Sequence, residues 1–111
     1  MILYQGSQLI GNVRSSSISK SVSFQLNTWY HVALVLSGTT GYLYVNGILI
    51  DSERFGAPSN VVRTNNYIGK SNSVYSNALA VYDDIKIYQG ALSSSCIMND
   101  YLQLLNSKFL Y

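Results

Sequence analysis

Apolar and polar residues alternate along most of this chain with the two-residue period of a strand covered on one face. The clearest instance surrounds Asn46-Gly47, flanked by Leu43-Tyr44-Val45 and Ile48-Leu49-Ile50. An Asn-Gly pair between β-formers predicts a two-residue hairpin, because a type I′ turn needs φ > 0 at both central residues. That loop length places Val45 opposite Ile48, Tyr44 opposite Leu49, Leu43 opposite Ile50 and Tyr42 opposite Asp51. Leu43, Val45, Ile48 and Ile50 are therefore expected on a core face, and Tyr42, Tyr44, Leu49 and Asp51 on an amphipathic one.

The same logic runs along the rest of the chain. Residues 1–13 hold two short apolar runs separated by Gly6-Ser7. In 18–24, Ile18, Val22 and Phe24 face one way and Ser19, Ser21 and Ser23 the other, a half-exposed strand. Residues 29–36 are apolar on both faces, which predicts a strand covered on both sides and central in its sheet. Residues 52–64 are polar, contain Pro58 and read as a loop crossing between sheets. A short strand over 66–69, a loop over 71–77 and a last strand over 78–88 follow. The period then changes. Ser93, Ser94 and Ser95 offer an N-cap, and Ile97, Tyr101, Leu104 and Leu105 recur at helical spacing, predicting a short helix over 93–106 docked on the sheet. The apolar tail Phe109-Leu110-Tyr111 is expected to pack back on the domain or to meet a partner.

A chain of 111 residues bounds the count to one domain, 1–111. Charged residues make up 11%, against roughly 25% in a typical soluble domain, which suits β-structure in an extracellular or assembled setting. The net charge of +2 is scattered along the chain, so no basic footprint for nucleic acid arises. No apolar run is long enough to insert in a membrane. Cys96 is the only cysteine; with no neighbouring cation to lower its pKa, it is expected to be buried packing.

Four segments occur in order: Trp29-Tyr30-His31-Val32-Ala33, Leu43-Tyr44-Val45-Asn46-Gly47, Tyr67-Ile68-Gly69-Lys70-Ser71, and Asp83-Asp84-Ile85-Lys86-Ile87-Tyr88 running on to Leu92-Ser93. Together they resemble the laminin-G-like, concanavalin A-like jelly-roll domains, with their W-x-H-V-A strand, Y-V-N-G hairpin, I-G-x-S turn and D-D/E-V-R-I-Y ending. The resemblance implies an all-β, antiparallel two-sheet jelly-roll sandwich with a short C-terminal helix. It also implies an extracellular, cell-surface or virion setting. Such domains carry more strands ahead of the W-x-H-V-A strand than 28 residues allow, so a partner chain or an upstream segment is expected to complete the sandwich. Ala80 and Tyr82 stand where the family has Gly and an aliphatic residue.

Candidate chemistry is sparse. His31 is the only histidine and lies in an apolar strand, which favours a hydrogen-bonded structural role. Asp51 and Glu53 share a strand face at a separation that suits glycoside hydrolysis. The family's glucanase pattern of three alternating acids is absent, however, and an ion pair with Arg54 is the simpler account. Asp83 lies on an apolar face, where a carboxylate must be paired. In the resembling family this Asp is structural, with a rim Ca²⁺ site as the minor reading and no other cofactor. Tyr42, Tyr44, Tyr82 and Tyr88 could stack on sugar rings or a protein partner, with Asn72 at the rim. The expectation is thus a non-enzymatic recognition module for carbohydrate or protein. The alternative is a structural subunit of a virion, appendage or multi-domain surface protein, with a glycoside hydrolase last.

Overall fold

Asn46 and Gly47 both adopt positive φ, 51° and 77°, and so do Gly6 and Ser7, 56° and 63°. Both tight turns therefore form where the sequence places them. The structure, a computed structural model, describes residues 2–13, 16–56, 60–62, 64–70 and 77–108. Strands β1 (Ile2–Gln5), β2 (Gln8–Val13) and β3 (Ser16–Ser21) form one antiparallel sheet in the order β1-β2-β3. Strands β4 (Val32–Ser37), β5 (Thr40–Val45) and β6 (Ile48–Arg54) form a second, in the order β4-β5-β6. Helix α1 spans Ser94–Lys108.

The two sheets enclose a core of Leu9, Ile18, Leu43 and Phe55, with Val22, Phe24, Val32, Leu34, Leu36, Val45 and Ile50 packed around it. The outer face of the second sheet carries Val35 and Tyr44, and these meet Ile97 of α1. The result is a β-sandwich of the concanavalin A-like kind with a C-terminal helix, as expected. The helix presents the predicted stripe: Ile97 is buried and Tyr101, Leu104 and Leu105 are half-buried. Gly47 lets α1 sit against the hairpin turn. A Cβ there would lie 2.8 Å from Met98 Sδ and 3.1 Å from Met98 Cα.

Several expectations are corrected. The β5–β6 register follows the hairpin only as far as Tyr44↔Leu49; beyond a bulge Leu43 pairs with Asp51 and Tyr42 with Ser52. Ile50 is the extra residue and turns into the core, while Ile48, beside the turn, is exposed. β6 runs on to Arg54, and Phe55, which the polar stretch concealed, is the largest fully buried side chain among the described residues. Its ring seats on Gly41, where any Cβ would collide with it. β4 is covered on both faces yet lies at the sheet edge. Its cover comes from the opposite sheet on one side and α1 on the other, so apolar faces did not imply flanking strands. Trp29 lies before β4 and is exposed. Cys96 is exposed as well, because Ile97 takes the sheet-facing position one residue on.

The largest difference is at 66–69 and 78–88, where no described residue is in a strand. A strand exists only with a ladder partner, and Asp84, at φ 51°, breaks the extended run. Asp83 Oδ1 accepts the Asp84 N–H at 2.9 Å, a local turn that accommodates this conformation. Apolar side chains expected to be covered, Leu79, Val81, Ile85 and Ile87, are instead exposed.

Candidate functional site

Strand alternation puts Val35 and Tyr42, a cross-strand pair, on the same outer face as the Ala33–Tyr44 pair. The chain returns over this face as Ala91 and Leu92 and then starts α1. Ser93 caps the helix: its Oγ accepts the Cys96 N–H at 3.2 Å and its carbonyl accepts the Ile97 N–H at 3.0 Å. Between sheet and helix start lies an open groove of about 370 Å³, lined by Val35, Ser37, Tyr42, Tyr44, Ala91, Leu92, Ser93 and Ser94. Its size falls within the range of small-molecule sites.

The two tyrosines differ in role. Tyr44 is buried, packs on Val35 and Ile97, and shares a 3.1 Å hydrogen bond with Ser94 Oγ that ties the helix start to the sheet. Tyr42 is half-buried, leaving part of its ring available to a ligand. Hydroxyls of Ser37, Ser93 and Ser94 supply donors and acceptors. Among the described residues no carboxylate, imidazole, amine or thiol lines this groove, and its titratable side chains are the phenols of Tyr42 and Tyr44.

Of the tyrosines singled out in the sequence, the structure thus brings Tyr42 and Tyr44 together. Tyr82 is half-exposed, its ring beside Gly69. Tyr88 donates its hydroxyl to Asp100 Oδ2 at 2.9 Å. Neither lines the groove, and Asn72 lies outside the described residues. Sequence reasoning missed Ser37, Leu92 and Ser94 as lining residues. The serine run at 93–95 was the available signal: a helix start docked on the Tyr-bearing face delivers its capping residues to that face.

A second cluster holds the segment 86–88 to α1. Lys86 Nζ lies 3.2 Å from Asp100 Oδ1. The hydrogen bond from Tyr88, and then that from Lys86, keep the Asp100 carboxyl below its usual pKa. The same bonds raise the pKa of Lys86 and of Tyr88. His31 stands nearby, its ring 6.2 Å from that of Tyr101. Its backbone N–H is held by Asn46 Oδ1 at 3.0 Å and its carbonyl by the Asn46 N–H at 2.8 Å. Its Nδ1 is buried and has no hydrogen-bond partner among the described residues. Burial lowers its pKa, opposed by Asp100. Asp51 and Glu53 cap their own strand, accepting the N–H of Ser52 at 2.9 Å and of Arg54 at 3.2 Å. Among the described residues no three His, Cys, Asp or Glu side chains gather where they could hold a metal ion, and no helix is long and apolar enough to cross a membrane.

Comparison with known proteins agrees with this architecture. No curated protein matches the chain. A solved structure similar to it is the S-layer domain-containing protein (residues 221–444) of Clostridium thermocellum, 27% identical, with a TM-score of 0.62. The match covers 85% of this chain and 50% of that one, so this chain spans half the length of that solved domain. The laminin G family model of the concanavalin A-like lectins and glucanases matches residues 5–98. The chain therefore belongs to the laminin-G-like family of the concanavalin A-like lectin/glucanase superfamily.

Proposed function

We propose that this chain is a non-catalytic surface recognition module that binds a neutral carbohydrate residue in the groove beside α1. The observation that carries the reading is the lining itself: a partly open Tyr42 ring, three serine hydroxyls and, among the described residues, no carboxylate, imidazole, amine or thiol. A sugar ring offers an apolar C–H face to the aromatic and hydroxyls to the serines. The superfamily of lectins and glucanases and the likeness to an S-layer domain support an extracellular or cell-surface setting. A broad glycan array, probed with and without Ca²⁺, tests it; the Ca²⁺ arm also reports on Asp83. Tyr42→Ala is expected to weaken any hit by about tenfold, the worth of one aromatic stacking interaction. A blank array in both conditions, or binding indifferent to Tyr42→Ala, refutes the reading.

A second reading, a structural unit of a larger surface assembly, draws on the exposed apolar side chains of 79–87. The S-layer likeness also favours it. A monodisperse monomer that melts cooperatively counts against it.

A further inference from the structure

Asn46-Gly47 is the only Asn-Gly pair in the chain, and it holds a reactivity that the sandwich and the groove leave unused. Where the backbone is free, the Gly47 nitrogen can attack the Asn46 side-chain carbon Cγ, because glycine has no Cβ to hinder the approach. The new N–Cγ bond closes a five-membered succinimide. The Cγ–Nδ2 bond breaks, and Nδ2 leaves as ammonia with the proton from the Gly47 nitrogen. Water then opens the ring at one of its two carbonyls. Attack at Cγ restores the normal backbone and leaves aspartate. Attack at the main-chain carbon leaves isoaspartate, with the backbone routed through the former side chain.

The fold holds this reaction back. Asn46 Oδ1 accepts the His31 N–H at 3.0 Å, and the Asn46 N–H donates to the His31 carbonyl at 2.8 Å. Asn46 is thus clamped through side chain and backbone to the residue that precedes β4. The turn is closed by the Val45–Ile48 pair, with φ 51° at Asn46 and 77° at Gly47. For the Gly47 nitrogen to reach Cγ, the side chain must leave His31 and the peptide between the two residues must rotate. That rotation swings Gly47, which lies against α1: a Cβ there would stand 3.1 Å from Met98 Cα. We infer that Asn46 is a site of spontaneous deamidation that the His31 clamp and the docked α1 keep unreactive, and that its isoaspartate form no longer seats α1.

The two products differ in what they preserve. Aspartate keeps Oδ1 for the His31 N–H, and Asp-Gly suits a type I′ turn as Asn-Gly does. In isoaspartate Oδ1 becomes a main-chain carbonyl, the carbon beside His31 is bonded to Gly47, and the backbone gains a methylene. Keeping the His31 bond then draws Gly47 out of the turn, and keeping the Val45–Ile48 pair breaks that bond. Either way Gly47 leaves its place against Met98. Ser93 and Ser94 sit at the start of α1, so the groove loosens with the helix.

The test incubates the whole chain in mildly alkaline buffer, natively and unfolded in urea. Mass spectrometry of the tryptic fragment 21–54 follows the conversion, and electron-transfer fragmentation identifies isoaspartate. The native rate should be slower than the unfolded one by about tenfold or more. Ile97→Ala removes the buried anchor of α1 on Val35 and Tyr44 and lies outside the core around Leu9 and Leu43. With the amides of β2 still protected, it should speed native deamidation by about threefold or more. In the purified isoaspartate form, amide exchange over 97–105 should quicken by about tenfold while β2 stays protected. Asn46→Asp should exchange like the wild type, which assigns the effect to the rerouted backbone rather than to the new charge. Equal native and unfolded rates, a folded Ile97→Ala chain that deamidates no faster, or an isoaspartate form with α1 still protected would overturn the inference. So would an Asn46→Asp chain that loses α1 protection as fully as the isoaspartate form. None of these readouts involves a ligand, so the result is independent of carbohydrate binding in the groove.

Discussion

Replacing Gly47 by alanine tests how the hairpin, the helix and the groove depend on one another. Gly47 has φ 77°, a conformation that costs an L-residue about 1–2 kcal/mol. The added Cβ would also stand 2.8 Å from Met98 Sδ, 3.1 Å from Met98 Cε and 3.1 Å from Met98 Cα. Side-chain atoms can swing aside, but the backbone of Met98 moves only if α1 moves, and overpacking of this kind costs about 1–3 kcal/mol. The sum is a destabilisation of about 2–5 kcal/mol, a fall in melting temperature on the order of 10 °C or more for a chain of this length. Urea unfolding of the wild type, Gly47→Ala, Met98→Ala and the double variant separates the two costs. The Met98→Ala background relieves the collision with the thioether but leaves both the φ cost and the close approach to the helix backbone. The double variant should therefore be more stable than additivity predicts, by about 1 kcal/mol. A cost below about 1 kcal/mol for Gly47→Ala, or strict additivity, would refute the packing of α1 on the turn.

Other outcomes follow from the same structure. Leu43→Ala, at the centre of the core with no exposed surface, should cost about 2–5 kcal/mol in urea unfolding. Burial lowers the pKa of His31 from its usual 6.5, so the unfolded chain takes up this proton first as the pH falls. Its contribution to stability is therefore complete above the usual value and is lost as the pH falls through 6.5 towards the lowered native value. His31→Gln should flatten the slope of unfolding free energy against pH in that window. Asp100→Asn breaks an ion pair whose side chains are 41% and 18% exposed; solvent screening limits its effect to about 1 kcal/mol, shrinking further in high salt. Cys96, exposed on α1, should react with a thiol reagent in the native protein as readily as in urea; a native rate slower by about a hundredfold would contradict its placement.

Much of the fold was legible in local chemistry. The Asn46-Gly47 and Gly6-Ser7 turns, the alternation around Ile18 and the helical stripe from Ile97 to Leu105 are short-range signals, and each formed where the residues place it. The groove was half legible. Alternation put Tyr42 and Tyr44 on one face, but the partner that turns this face into a groove comes from residues 91–94.

The sequence by itself determined the turns and the two-sided apolar pattern of β4, because each depends on neighbours a few residues apart. Tertiary structure decided what pairs with what. It shifted β6 by one residue through the bulge at Ile50, buried Phe55 from a polar stretch against Gly41, and set β4 at an edge. It also buried Tyr44 under α1 while leaving Tyr42 partly open. The physical reason is the same throughout. A side chain's direction follows from the local backbone, whereas its burial and a strand's ladder depend on segments distant in the chain, and period-two alternation cannot say which segments those are.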